Sequence, residues 1–148
     1  MNIRTPRSLA VEHKELHDEL KAIIIAGGAT GKAARGVECA LQPHFEKEEE
    51  YALPPLGLLP ALTSGKVMPE MMDAAEMASR LRAELGQMLQ EHKEIAVDLD
   101  ILTDVAKQEG REDAARFAEK LMLHAQMEEE VLYPASILIG EYLKIKRQ

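Results

Sequence analysis

Apolar residues recur three and four positions apart along most of the chain, with charged residues between them. This is the period of a helix with one buried face. Leu9, Leu16 and Leu20 form one stripe, Val37 and Leu41 a second, Leu85, Met88, Leu89 and Leu99 a third, and Phe117, Leu121 and Leu132 a fourth. Punctuation residues set the bounds. The first helix is expected to open with Thr5 as N-cap and Pro6 at its first position, and to stop at Gly27-Gly28. The second runs from near Thr30 to Leu53, where Pro54-Pro55 ends it, and Pro43 should kink it. The third spans Pro69 to Gln108. At 1.5 Å per residue that is about 60 Å, long for a small bundle, so a break or overhang is expected near Gly86. The fourth runs from Arg111 to Tyr133. A short terminal helix, Ala135 to Lys146, should pack Ile137, Leu138 and Tyr142 on the body. The long connection from Pro54 to Met68 is apolar and rich in proline, so it should lie on the body too. The other connections are short, which makes neighbouring helices antiparallel. The expected fold is all-α, an up-down-up-down antiparallel four-helix bundle with a short C-terminal helix. One domain covering residues 1–148 is expected.

Composition narrows the function classes. With 46% hydrophobic and 30% charged residues the chain is globular, not disordered. Its net charge of −8 argues against nucleic acid as a partner. Trp is absent and aromatic residues are only 3%, so base-stacking platforms are not expected either. No secretory signal and no apolar run of about 18 residues can be seen, so no membrane partner and a cytoplasmic location are expected. The single cysteine, Cys39, excludes an all-cysteine metal site within one chain and reads as a buried small apolar residue. Lys32 in ATGKAA lacks the upstream glycine and strand of a phosphate loop.

The chemistry lies in an internal repeat. Glu12-His13-Lys14-Glu15 matches Glu91-His92-Lys93-Glu94 at an offset of 79. The segment from His44 to Glu50 matches that from His124 to Glu130 at an offset of 80, and Pro54 matches Pro134. Each half therefore reads as a helical hairpin, and two hairpins make the bundle. His44/Glu48 and His124/Glu128 are spaced i, i+4, which stacks each pair on one helical face. All four repeat histidines fall within apolar stripes, so four imidazoles and two carboxylates converge in the core. Buried carboxylates are costly unless paired or bound to a metal. Two divalent metals would supply four positive charges against the two negative ones, with Glu48 and Glu128 bridging and the imidazoles at either end. The mixed nitrogen and oxygen set with open positions suits redox-active iron, with manganese or zinc as other occupants. It differs from the ferritin-like pattern, which is rich in Glu and uses Glu-x-x-His.

The segments EHKE, HFEKEE, EHKE and HAQMEEEVLYP, in this order, resemble the hemerythrin-like HHE cation-binding domain, over roughly Val11 to Pro134. The resemblance implies a four-helix bundle around a non-haem di-iron centre, oxo- or hydroxo-bridged. Carried over by position, the metal ligands are His13, His44, Glu48, His92, His124 and Glu128. His13 and His44 would bind one iron, His92 and His124 the other, and the two glutamates would bridge. The oxygen-carrying members have a fifth histidine on the third helix, where this chain has Met88. His17, one turn after His13, could be a fifth ligand, a neighbour of a ligand, or a surface residue. The set of four His and two Glu is closer to the di-iron proteins of iron–sulfur-cluster repair, which resemble this chain only over the bundle.

Tyr51 and Tyr133 read either as packing at the bundle end or as hydroxyls hydrogen-bonding into the site. Glu49, Glu50, Glu129 and Glu130 read as a solvated face, with one of them adjoining the site as the alternative. The expected function is binding of, or reaction with, O2, NO or peroxide. An alternative is an iron-handling or repair module that acts on a redox or client protein. A metal-free helical interaction protein is the remaining one.

Overall fold

The computed structural model describes residues 2–147, and among them there is no strand. Helix α1 spans Arg7–Ala26. Pro6 is its N-cap residue, so the helix starts one residue later than the Thr5-Pro6 pattern suggests. Gly27, at φ 76°, ends α1 and also precedes α2, Gly28–Lys47. The positive φ, which favours glycine, lets the chain reverse here without a loop. Because α2 starts at Gly28, Thr30 is not its cap. The cap comes from across the bundle: the Glu109 carboxylate accepts from the backbone N–H of Ala29 at 3.3 Å and of Thr30 at 2.7 Å. Orphan donors and the positive end of the helix dipole both favour a carboxylate there.

Past Lys47, and again past Met127, the helix widens into a π turn, Glu48–Ala52 and Glu128–Leu132. Leu53 N–H donates to Glu48 O at 2.9 Å, and Tyr133 N–H donates to Glu128 O. Pro43 lies inside α2, but its repeat-mate is Leu123, so the wide turn forms in both halves with or without proline. The connection then makes a 3-10 turn, Pro54–Leu58, and the short α3, Leu59–Thr63. Pro54, Pro55, Leu56 and Leu58 are buried, as its apolar composition requires.

Helix α4, Met72–Glu109, runs unbroken for 38 residues through Gly86. Of the break or overhang expected near Gly86, the overhang is what forms, and it has its own cover. After α5, Glu112–Met127, and the second π turn, the helix continues without a break as α6, Tyr133–Arg147, along the overhanging half of α4. Contact is close: a Cβ added at Gly140 would lie 2.5 Å from Ala78 Cβ. The buried face of α6 is Tyr133, Ser136, Ile139, Gly140 and Leu143. Ile137 is partly buried against the Tyr133 cluster. Leu138 and Tyr142 are exposed, contrary to the packing expected of them.

Helices α1, α2, α4 and α5 form the four-helix bundle, each packed on two neighbours. Lys120 pairs with Glu19 and His124 with Glu12, which sets α1 and α5 antiparallel. Lys47 pairs with Glu91 and Arg80 with Glu50, which does the same for α2 and α4. One large core of Leu16, Leu41, Leu99, Phe117 and their neighbours fills the end near Gly27. A second cluster of Tyr51, Leu81, Met88 and Tyr133 lies towards the other end. On every bundle helix the repeat histidine falls at the boundary, for example His92 between Met88 and Ile95. No helix among the described residues is long and apolar enough to cross a membrane.

Candidate metal centre

All six residues carried by the repeat meet between the two apolar layers. His13, His44, Glu48, His92, His124 and Glu128 are each at most 6% exposed. Helical spacing brings His44 over Glu48 and His124 over Glu128, with Nε2–carboxylate distances of 3.7 and 3.2 Å. His92 Nε2 lies 3.2 Å from Glu128 Oε1, and His13 Nε2 lies 3.6 Å from Glu128 Oε2. His13 is also 3.9 Å from Glu48 Oε1.

The donors fall into two overlapping groups. One is His44, Glu48, His92 and Glu128; the other is His13, His124 and Glu128. The histidines thus pair across the hairpins, α2 with α4 and α1 with α5. That differs from the pairing within hairpins that the resemblance implies. Each helix touches both its hairpin mate and one helix of the other hairpin, and at this level the rings of α2 and α4, and of α1 and α5, turn towards each other. Glu128 belongs to both groups.

Outside these donors, a ring of carboxylates orients the imidazoles. His44 Nδ1 lies 2.8 Å from Glu91 Oε1, and His92 Nδ1 lies 3.1 Å from Glu129 Oε1. His124 Nδ1 pairs with Glu12. A carboxylate on Nδ1 fixes the proton there and aims the Nε2 lone pair inward. His13 is held by stacking on Phe45, with ring centroids 4.3 Å apart. Glu12 and Glu91 are the first letters of the repeated Glu-His pair. Sequence reasoning passed over them, although a glutamate directly before each first-motif histidine was the available signal. Glu129 lies on the solvated face as expected, and from there its carboxylate also reaches His92.

Electrostatics show what the pocket lacks. Burial, then the charge of Glu128, pushes the Glu48 carboxyl well above its ordinary range. Burial also acts on Glu128, but the Glu48, His124, His13 and His92 side chains crowded against it outweigh that effect and hold Glu128 well below that range. Burial lowers His44 despite Glu91. In His92 and His124 burial is outweighed by Glu128 and by Glu129 or Glu12, and both are raised. Protons therefore stand where cations would neutralise the same charge, and binding a metal must displace them. Glu48 Oε1 and Glu128 Oε2 are buried with no hydrogen-bond partner. Ligands about 2.1 Å from one cation lie about 3.0 Å apart at a right angle and about 3.4 Å at a tetrahedral angle. The 3.2 Å separations at His92–Glu128 and His124–Glu128 fall in that range. The pocket fits a pair of metal cations.

The hemerythrin HHE cation-binding domain model matches residues 5–136. The chain belongs to this family. No curated protein and no solved structure matches it. As a member of the hemerythrin HHE family the chain binds metal cations, and its His/Glu cluster suits the di-iron type.

Other candidates are placed as follows. His17 joins neither donor group; it is half-buried and lines a surface cleft of about 320 Å³ with His13, Gln42, Phe45 and Glu49. Met88 is fully buried. Cys39 is exposed, so it is not the buried apolar residue expected. Tyr51 points away: its hydroxyl donates to Glu84 at 2.6 Å and its ring lies under Arg80. Tyr133 points in, donating to Glu48 Oε2 at 2.7 Å. The π turn explains the difference. Five residues of α-helix rotate a side chain by about 500°, onto another face. The wider turn brings the fifth residue back towards the first, so Tyr133 shares the inward side with Glu128.

Proposed function

We propose that the chain is a non-haem di-iron protein that binds or reacts with O2, NO or peroxide. The observation that carries this reading is the pair of unpartnered buried carboxylate oxygens set among four imidazoles, three of them aimed by their own carboxylates. A nitrogen-rich set with only two carboxylates suits iron that changes oxidation state. Two bound irons would supply up to two electrons in one encounter with a small oxidant.

The protein's own residues do the rest. Glu128 belongs to both donor groups and Glu48 to one, so these two carboxylates, with the four imidazoles, are the residues that would hold the cations. Glu12, Glu91 and Glu129 hold the imidazole orientations and offset the charge that the rings gain on binding. Leu41, Leu99 and Leu121 on one side, and Tyr51, Leu81 and Met88 on the other, keep bulk water out. A surface cleft of about 270 Å³ between α4 and α5 is lined by His92 and Glu129 together with Ala96, Met122 and Ala125.

The test is an absorption spectrum of the anaerobically reduced, iron-loaded protein as O2 is added and then withdrawn. A charge-transfer band that appears and reverses assigns a carrier or sensor. A band that appears and persists assigns redox turnover. Failure of carefully loaded protein to hold iron overturns the di-iron reading.

A further inference from the structure

The Tyr133 hydroxyl is surrounded by donors. It lies 3.2 Å from His44 Nε2, 3.3 Å from His92 Nε2 and 2.7 Å from Glu48 Oε2, and the residue is 0% exposed. We propose that Tyr133 is a seventh protein ligand of the metal centre, binding as a phenolate on the side of His44 and His92. The proposal rests on the di-iron reading above.

Proton accounting supports it. In the neutral form that binds metal, His44 and His92 carry their ring proton on Nδ1, facing Glu91 and Glu129. Their Nε2 atoms are then acceptors, as is Glu48. One phenolic proton faces three acceptors, and its hydrogen bond to Glu48 consumes it. The phenol oxygen is left lone pair to lone pair against two nitrogens. Without metal a proton on a ring Nε2 relieves that contact, and a shared cation would take the place of that proton.

The spacing agrees. Separations of 3.2 and 3.3 Å between the oxygen and the two nitrogens are those of neighbouring ligands about 2.1 Å from one metal. Tyr133 also enters where the third bundle helix offers little. One turn before His92, Met88 presents a thioether, packed in the same cluster as Tyr133. The repeat-mate of Tyr133 is Leu53, buried in an apolar cluster, so only one of the two metals gains this ligand. On binding, the phenol O–H bond is replaced by an oxygen–metal bond. The proton leaves to solvent and no electron moves.

The experiment uses the full chain loaded with ferrous iron and oxidised with ferricyanide. Phenolate bound to ferric iron gives a visible charge-transfer band, and Raman excitation in that band enhances tyrosine ring modes. Wild type is expected to show both. Tyr133→Phe is expected to lose both while still holding two irons. The chain has three tyrosines, so the double variant Tyr51→Phe/Tyr142→Phe leaves Tyr133 alone and is expected to keep both signals. This variant decides the matter even where Tyr133→Phe folds poorly. Wild type that holds two irons without ring modes overturns the proposal and leaves the di-iron reading intact, as does loss of the modes from the double variant. Wild type that holds no iron overturns both.

Discussion

Glu91 accepts a hydrogen bond from His44 Nδ1 at 2.8 Å, joining the first-motif glutamate of one hairpin to the second-motif histidine of the other. Glu12 and His124 repeat the relationship with the hairpins exchanged. The repeat is therefore reciprocal: each hairpin orients a histidine of its partner, and neither half makes the site alone.

Glu91 tests how far this orientation matters. Its carboxyl is lowered to about 2: burial opposes the shift, and hydrogen bonds from Lys47, His44 and Gln87 outweigh it. Replacing Glu91 by Ala frees His44 to turn and to change tautomer. Metal affinity is expected to fall about 10- to 100-fold, the usual effect of losing a partner of a ligating histidine. Competition with a chromophoric chelator measures it, and an affinity equal to wild type would rule the orienting role out.

Glu48→Gln separates binding from folding. The amide keeps the shape of the carboxyl and removes a buried acid that burial and Glu128 disfavour as an anion. The metal-free variant is expected to melt no lower than metal-free wild type. The rise in Tm on adding ferrous iron is expected to shrink sharply, since a binder of the native state stabilises by mass action. A full metal-induced rise in this variant would remove Glu48 from the ligand set.

Acid sensitivity is expected at the opposite end of the bundle. Hydrogen bonds from the Thr30 side chain and backbone, with Ala29 behind them, hold Glu109 below its ordinary value of 4.5. A carboxyl depressed in the folded state stabilises above its unfolded value and loses that contribution as pH falls through the folded one. Wild type should therefore melt higher than Glu109→Gln at neutral pH. The gap should narrow progressively below about pH 4.5. Melting curves of both proteins from pH 7 to pH 3 check the sign; a gap that widens on acidification contradicts the capping role.

Gly140→Ala probes the α4–α6 contact. The added methyl would meet Ala78 Cβ at 2.5 Å, and both atoms belong to packed helices. Overpacking of this kind costs about 1–3 kcal/mol. Because α6 begins at Tyr133, the displacement should also disturb the phenol–Glu48 hydrogen bond. Urea denaturation gives the stability change, and an unchanged midpoint would show that the helices part at no cost.

The helical periods, the duplicated motifs and the i, i+4 spacing of His44/Glu48 and His124/Glu128 determined four bundle helices and six converging donors. Those are local properties: a period of 3.6 residues decides which side chains share a face, and an apolar stripe decides which face is buried. Pairing was not local. Which histidines sit together, and that Glu12 and Glu91 reach across to the other hairpin, depends on which helices lie side by side. The unbroken α4 followed from α6 covering its overhang, which the propensity of Gly86 could not reveal. The aim of Tyr133 into the site and of Tyr51 away from it turned on the widened turn in each half. A single extra residue per turn leaves no mark in composition, and only the packed helices select it.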